Sequence, residues 1–208
     1  MLDIANADVR MCKKNLAKVR GYIDSMSKLG FSMIMLAPDV VPANNDDELK
    51  KMQERLLNGF VNIVEYAKDS GIKVTIENQS TLSRADSKMS DIRDILNCVP
   101  ELGFVLDTGN FFCIKEDVSE AYNLLSDRIV HVHAKDWQYD ENGFYEREGL
   151  PRFKGVALGS GMIPLSRIFS KLREDGYKGK INLEVNSPEI TLDVLDISAE
   201  FLRGEINV

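Results

Sequence analysis

The chain has 208 residues, 44% of them hydrophobic and 28% charged, with a formal net charge of −7 and a pI near 5.0. That length suits one domain with a full core, here 1–208, and the acidic balance repels phosphate backbones, which argues against nucleic-acid binding. No apolar run reaches membrane-spanning length, MLDIANADVRM lacks the basic-then-apolar order of a signal peptide, and Cys12, Cys98 and Cys113 lack zinc-knuckle spacing. The expectation is a cytoplasmic protein with reduced thiols and no membrane partner.

The first predicted element is an amphipathic helix over Val9–Leu29, with Leu16, Val19, Ile23 and Met26 on one face. Gly30 ends it, and FSMIMLAP reads as a buried strand. A loop rich in Pro, Asn and Asp leads to a helix over Asp47–Ser70, with Leu49, Met52, Leu56, Phe60, Ile63 and Tyr66 near helical spacing. Gly71 closes that helix and KVTIE begins the next strand. The alternation continues with a helix near Asp91–Cys98, strand GFVLD, a helix near Ser119–Leu125 and strand RIVHVHAKD. After a long loop come VALGSG, a helix over Leu165–Asp175, strand KINLEV and a last helix near Thr191–Leu202. Unbroken strand–helix alternation predicts parallel strands joined by right-handed crossovers.

Glu77, Asp107, His133 and Glu184 stand out, because each sits at the C-terminal end of a short apolar, β-branched run. The C-terminal strand ends of a parallel α/β barrel converge on one mouth. Two Glu, one Asp and one His suit a hard or borderline divalent cation. Within the strands, Ile72, Val74 and Ile76 oppose Lys73, Thr75 and Glu77. Val130, Val132 and Ala134 oppose His131, His133 and Lys135, and Ile181, Leu183 and Val185 oppose Asn182, Glu184 and Asn186. A half-exposed sheet with one wet face accounts for the alternation, but not for ligand-type residues at the strand ends. Taken singly, Asp107 reads as a turn initiator and His133 as a hydrogen-bonded core histidine.

Other residues have two readings each. The glycines of Leu158–Gly161 suit an anion site before a helix or, as the simpler reading, a tight turn. Lys135, Asp136 and Trp137 follow His133 and could bind the hydroxyls of a small molecule and stack on a ring, or Lys135 and Asp136 could form a structural ion pair. The long loop Gln138–Phe153, with Tyr139, Phe144, Tyr145 and Arg152, could cover a pocket.

TIEN (Thr75–Asn78), VLDTGN (Val105–Asn110), HVHAKD (His131–Asp136), LGSGMIP (Leu158–Pro164) and GYKGKINLEV (Gly176–Val185) together resemble the sugar phosphate isomerase/epimerase superfamily with the xylose-isomerase-like TIM barrel. The resemblance runs from about Arg10 to Leu202. It implies a metal site of Glu77, Asp107, His133 and Glu184, with Glu77 and Glu184 doubling as acid/base groups on opposite faces of the substrate. It places His131 one layer deeper and Asn110 where relatives often carry a sugar-contacting His. Ketose 3-epimerases of the group carry an Arg where this chain has Tyr139, so their substrate is not copied. The substrate-binding set is then Asn110, His131, Lys135, Asp136 and Trp137.

The implied function is a metal-dependent isomerase or epimerase of a sugar or related polyhydroxy carbonyl compound, using Mn²⁺, Mg²⁺ or Co²⁺ ahead of Zn²⁺. The ion would stabilise an ene-diolate while the two glutamates move protons. A lyase or dehydratase on the same scaffold shares the first step, and a non-catalytic subunit is the rival of another class. Two His and an acidic surface argue against abasic-site DNA repair with several zinc ions. Relatives open with two further strand–helix units, so the expected fold is an α/β barrel incomplete at the N-terminus, with about six of eight strands. Unpaired edges at Phe31–Leu36 and Ile181–Val185 favour a homodimer or higher oligomer.

Overall fold

The computed structural model describes residues 3–38, 42–147, 149–186 and 191–206. They form two compact units, Met1–Val105 and Leu106–Val208.

The first unit begins with helix α1 (Val9–Lys28), capped by the Asp8 carboxylate, which accepts from the amides of Arg10 and Met11. Strand β1 (Met33–Leu36) follows, then helix α2 (Asp46–Ala67) and strand β2 (Lys73–Glu77). Asn45 caps α2 by accepting from the Glu48 amide, and Glu48 reaches back to accept from the Asn44 amide, a close relative of the reciprocal capping box. Gly30 and Gly71 end the two helices at φ +79° and +74°, a region that residues with a Cβ rarely enter. Met52, Leu56, Phe60 and Ile63 form the buried stripe of α2. Tyr66, expected on that stripe, is 40% exposed and its hydroxyl donates to Asp24, because the polar tip favours solvent and an acceptor. Helix α3 (Met89–Cys98) leads into strand β3 (Gly103–Asp107). Strands β1, β2 and β3 lie in that order and parallel, with Glu77 opposite Val105.

The second unit holds the end of β3, helix α4 (Thr108–Cys113), helix α5 (Val118–Leu125), strand β4 (Ile129–Ala134), helix α6 (Leu165–Glu174), strand β7 (Lys180–Leu183) and helix α7 (Leu192–Ile206). The end of β3, β4 and β7 are side by side, with His133 opposite Asn182 in parallel register. Between β4 and α6 runs an antiparallel hairpin, β5 (Trp137–Tyr139) with β6 (Phe153–Gly155).

One expectation is corrected. Five parallel strands, not six, occur among the described residues, since Val156–Gly161 is loop and turn. Its amides serve a buried carboxylate rather than a strand partner, as shown below. The DTGN segment opens helix α4, with the Asp107 carboxylate accepting from the amides of Gly109 and Asn110 as its N-cap. No helix among the described residues is long and apolar enough to cross a membrane.

The three thiols are unpaired and differ in environment: Cys98 is exposed, Cys12 intermediate and Cys113 buried. Burial pushes the Cys113 thiol up to about 11, with Asp107 adding to the rise and Arg147 and Lys135 opposing it. A thiol reagent at pH 8 is therefore expected to label Cys98 at once and Cys113 only on unfolding. Because the folded pKa is raised, the contribution is intact below the unfolded value of 9.0 and lost as pH climbs through about 11. Urea melts across that window should show a decline about 2–3 kcal/mol larger in wild type than in Cys113→Ala, the remainder coming from groups such as Cys12, Tyr122 and Tyr177 that are also raised.

Candidate metal centre

In the second unit Asp107, His133 and Glu184 meet where β3, β4 and β7 end. Asp107 is the last residue of β3, His133 is the penultimate residue of β4, and Glu184 lies one residue beyond β7. The Glu184 amide still donates to the Ala134 carbonyl, which carries the strand geometry one residue further. One ligand atom from each of the three lies within 4.8 Å of the others. His133 Nδ1 is 3.5 Å from Glu184 Oε2. Two carboxylates and an imidazole, with no thiolate, make a donor set that fits a hard or borderline divalent cation. The burial is graded: the Asp107 side chain is 1% exposed, His133 15% and Glu184 38%. The glutamate is thus the member that solvent or a small molecule can reach.

Lys135 is the central electrostatic feature. Its Nζ lies 2.8 Å from Asp107 Oδ2 and 2.9 Å from Glu184 Oε1, with its own side chain 5% exposed. Burial acts against its charge, but the Asp107 and Glu184 carboxylates outweigh it and hold the ammonium above its ordinary pKa. The ion pair considered between Lys135 and Asp136 is replaced by this bridge. Thr108 fixes the lysine backbone, because its hydroxyl accepts from the Lys135 amide at 2.9 Å and donates to the Lys135 carbonyl at 2.8 Å.

Asp136 faces elsewhere. Its carboxylate accepts from the amides of Trp137, Gly159, Gly161 and Ile163, and the residue is 1% exposed. Burial raises its pKa while those four amides oppose the rise. The Leu158–Gly161 loop therefore folds around an internal anion supplied by the chain itself, and the tight-turn reading of that loop holds. Trp137 is 2% exposed, donates its indole N–H to the Gly109 carbonyl at 3.0 Å, and packs edge-on against Tyr145 and Phe153. His131 is buried with its ring edge-on to His133 at 5.2 Å. Asn110 is 9% exposed and gives its amide to the Asp107 cap. Tyr139 packs against Phe112 with ring centroids 5.5 Å apart. Phe144, in the loop read as a cover, is 61% exposed.

In the first unit Glu77 closes β2 and is 9% exposed. Beyond it, Arg84 binds the buried Asp86 through two hydrogen bonds of 2.9 and 2.7 Å and reaches the Pro38 carbonyl, tying down the loop after β2. A groove of about 580 Å³ between α1 and α2, lined by Cys12, Lys13, Leu16, Arg20 and Arg55, contains none of the candidate ligands.

Sequence reasoning missed Thr108 and Gly109. A Cβ on Gly109 would come within 2.5 Å of Trp137 Nε1 and 2.6 Å of Lys135 Cδ, so this glycine makes room for both side chains. The available signal was the run Asp-Thr-Gly-Asn itself, a helix start with a small residue at its third position.

The sequence model of the xylose isomerase-like TIM barrel family matches residues 2–204, and the chain belongs to that family. The inosose isomerase of Halalkalibacterium halodurans is 24% identical over 88% of this chain and 64% of its own length. The inosose dehydratase of Lacticaseibacillus casei is 26% identical over 70% of this chain and 50% of its own length. The chain thus spans about half to two-thirds of these two relatives. Among solved structures, IOLI protein with a binding zinc atom superposes with a TM-score of 0.79 at 18% identity, covering 99% of this chain and 73% of that one. That likeness is one of fold.

Proposed function

We propose that the protein is a sugar-modifying enzyme, an isomerase or epimerase of a sugar or polyol-derived carbonyl compound, that works with one divalent ion held by Glu77, Asp107, His133 and Glu184. The observation that carries this reading is the convergence of Asp107, His133 and Glu184 at strand ends, with Glu184 half-exposed. Glu77 is assigned as the fourth ligand from its place as the last residue of β2, the same strand-end position that Asp107 holds in β3. The names of the inosose isomerase and inosose dehydratase relatives favour a polyhydroxy carbonyl substrate. The proposal takes 1–208 as one barrel-type domain.

In this reading the bound cation supplies Lewis acidity toward the substrate carbonyl. Glu184, reachable from solvent, removes the proton α to that carbonyl, and Glu77 returns one from the other side. His133 and Asp107 hold the ligand geometry, Asp107 being fixed by the α4 amides and Lys135. Asn110, His131, Lys135 and Trp137 shape the polar surroundings, and Asp136 orders the adjoining loop. A dehydratase is the second reading, favoured by the dehydratase relative, and differs only in that a hydroxyl leaves after proton removal.

Elemental analysis tests the ligand set. After incubation with Mn²⁺ and desalting, about one ion per chain is expected, with Mn²⁺, Mg²⁺ or Co²⁺ preferred to Zn²⁺. His133→Ala should lower occupancy, and excess metal should partly restore it. Wild-type protein free of metal after that treatment would sink the proposal.

A further inference from the structure

The Lys135 cradle is more elaborate than a substrate contact requires. The lysine leaves the end of β4 with both backbone polar groups held by Thr108. Its stem runs where a Cβ on Gly109 would fall, 2.6 Å from Cδ and 2.7 Å from Cγ. Its ammonium ends between two carboxylates, 2.8 Å from Asp107 Oδ2 and 2.9 Å from Glu184 Oε1. Three consecutive residues, Asp107, Thr108 and Gly109, thus grip one lysine by its head, backbone and stem. Two carboxylates that share one ammonium at 2.8 and 2.9 Å, Asp107 1% exposed and Glu184 38%, repel one another unless a cation stands between them.

Resting on the metal reading above, we infer that Lys135 is a resident counter-ion that exchanges with the divalent ion. In metal-free protein its ammonium neutralises Asp107 and Glu184 and keeps both side chains in their ligand positions. When the divalent ion arrives, it takes over that neutralisation, and the ammonium yields part of its contact with the two oxygens. The two cations are then antagonists at one pair of carboxylates, since each screens the charge that attracts the other. This makes Lys135 a positioning residue, and it lets the buried Asp107 and the partly exposed Glu184 face one another before metal loading without unscreened repulsion.

The antagonism separates this role from the alternatives. Lys135→Met keeps the stem that fills the Gly109 gap and removes the charge. In chelator, the variant should melt well below wild type. Saturating Mn²⁺ should close most of that gap, so metal raises the melting temperature more in the variant than in wild type. The dissociation constant for Mn²⁺, measured by calorimetry, should fall at least tenfold in the variant. A lysine that only packs would lower the melting temperature equally with and without metal and leave the constant unchanged. One that only binds substrate would leave both untouched, and either pattern overturns the inference. Wild-type protein supplies a second reading should the variant fail to fold. The ¹⁵N signal of the Lys135 ammonium should be slow to exchange in metal-free protein and shift on addition of stoichiometric Mg²⁺; no shift at full Mg²⁺ occupancy overturns the exchange. If neither protein binds Mn²⁺ at millimolar concentration, the metal reading fails and the exchange fails with it. Binding of equal strength in both overturns the exchange alone.

Discussion

Asp107→Ala is expected to cost about 2–3 kcal/mol of folding stability in metal-free protein, because it takes the more buried of the two carboxylates from the Lys135 ammonium and leaves only the 38% exposed Glu184 against it. The same change removes the N-cap of α4, since Asp107 Oδ1 accepts from Gly109 at 2.8 Å and Asn110 at 2.9 Å, and a lost cap is worth about 1 kcal/mol. Against a total stability of roughly 5–15 kcal/mol for a domain, that is a large share for one substitution. Asp107→Asn keeps an oxygen for the cap and should lose less. Urea unfolding in the presence of chelator measures both. A loss below about 1 kcal/mol for the alanine variant would mean that Glu184 alone satisfies Lys135 and that the Asp107 half of the bridge is dispensable.

Glu184→Gln should act on chemistry rather than on folding. The side chain is 38% exposed, and glutamine retains an oxygen to face Lys135, which is 2.9 Å from Glu184 Oε1. What disappears is the basic carboxylate. Exchange of the substrate proton α to the carbonyl should fall by about 10²–10⁴-fold, with substrate affinity little changed. Glu77→Gln should abolish turnover while sparing exchange from one side. Full turnover by Glu184→Gln on the true substrate would make the two-glutamate mechanism wrong.

The strand–helix order was readable because each element carries its own period. The stripe Met52, Leu56, Phe60 and Ile63 defines α2, and the terminators Gly30 and Gly71 define the ends of α1 and α2. The parallel arrangement followed from the alternation alone. What escaped was set by tertiary context. Val156–Gly161 has strand-like composition at its start, yet the buried Asp136 claims the amides of Gly159 and Gly161 and bends it into a turn. The β5–β6 hairpin escaped because its pairing depends on aromatic packing among Trp137, Tyr145 and Phe153 across a long intervening loop. Of the candidate site, the ligand-type residues at strand ends were visible as a pattern. The lysine between Asp107 and Glu184 was not, because an i,i+2 relation to His133 says which face Lys135 shares and nothing about where a four-carbon stem ends. Asp136 looked like a site residue for the opposite reason: its neighbours in sequence are at the strand end, but three of its four partners are backbone amides some twenty-five residues on.

Proton exchange between substrate and solvent is the direct test of the central claim. Metal-loaded wild-type protein would be incubated in heavy water with a panel of inososes and ketoses, and the recovered compounds analysed by mass spectrometry and NMR. The account predicts deuterium at the carbon next to the carbonyl for at least one compound, dependent on the divalent ion and lost in Glu184→Gln. Turnover of any panel member with no solvent deuterium incorporated would contradict it.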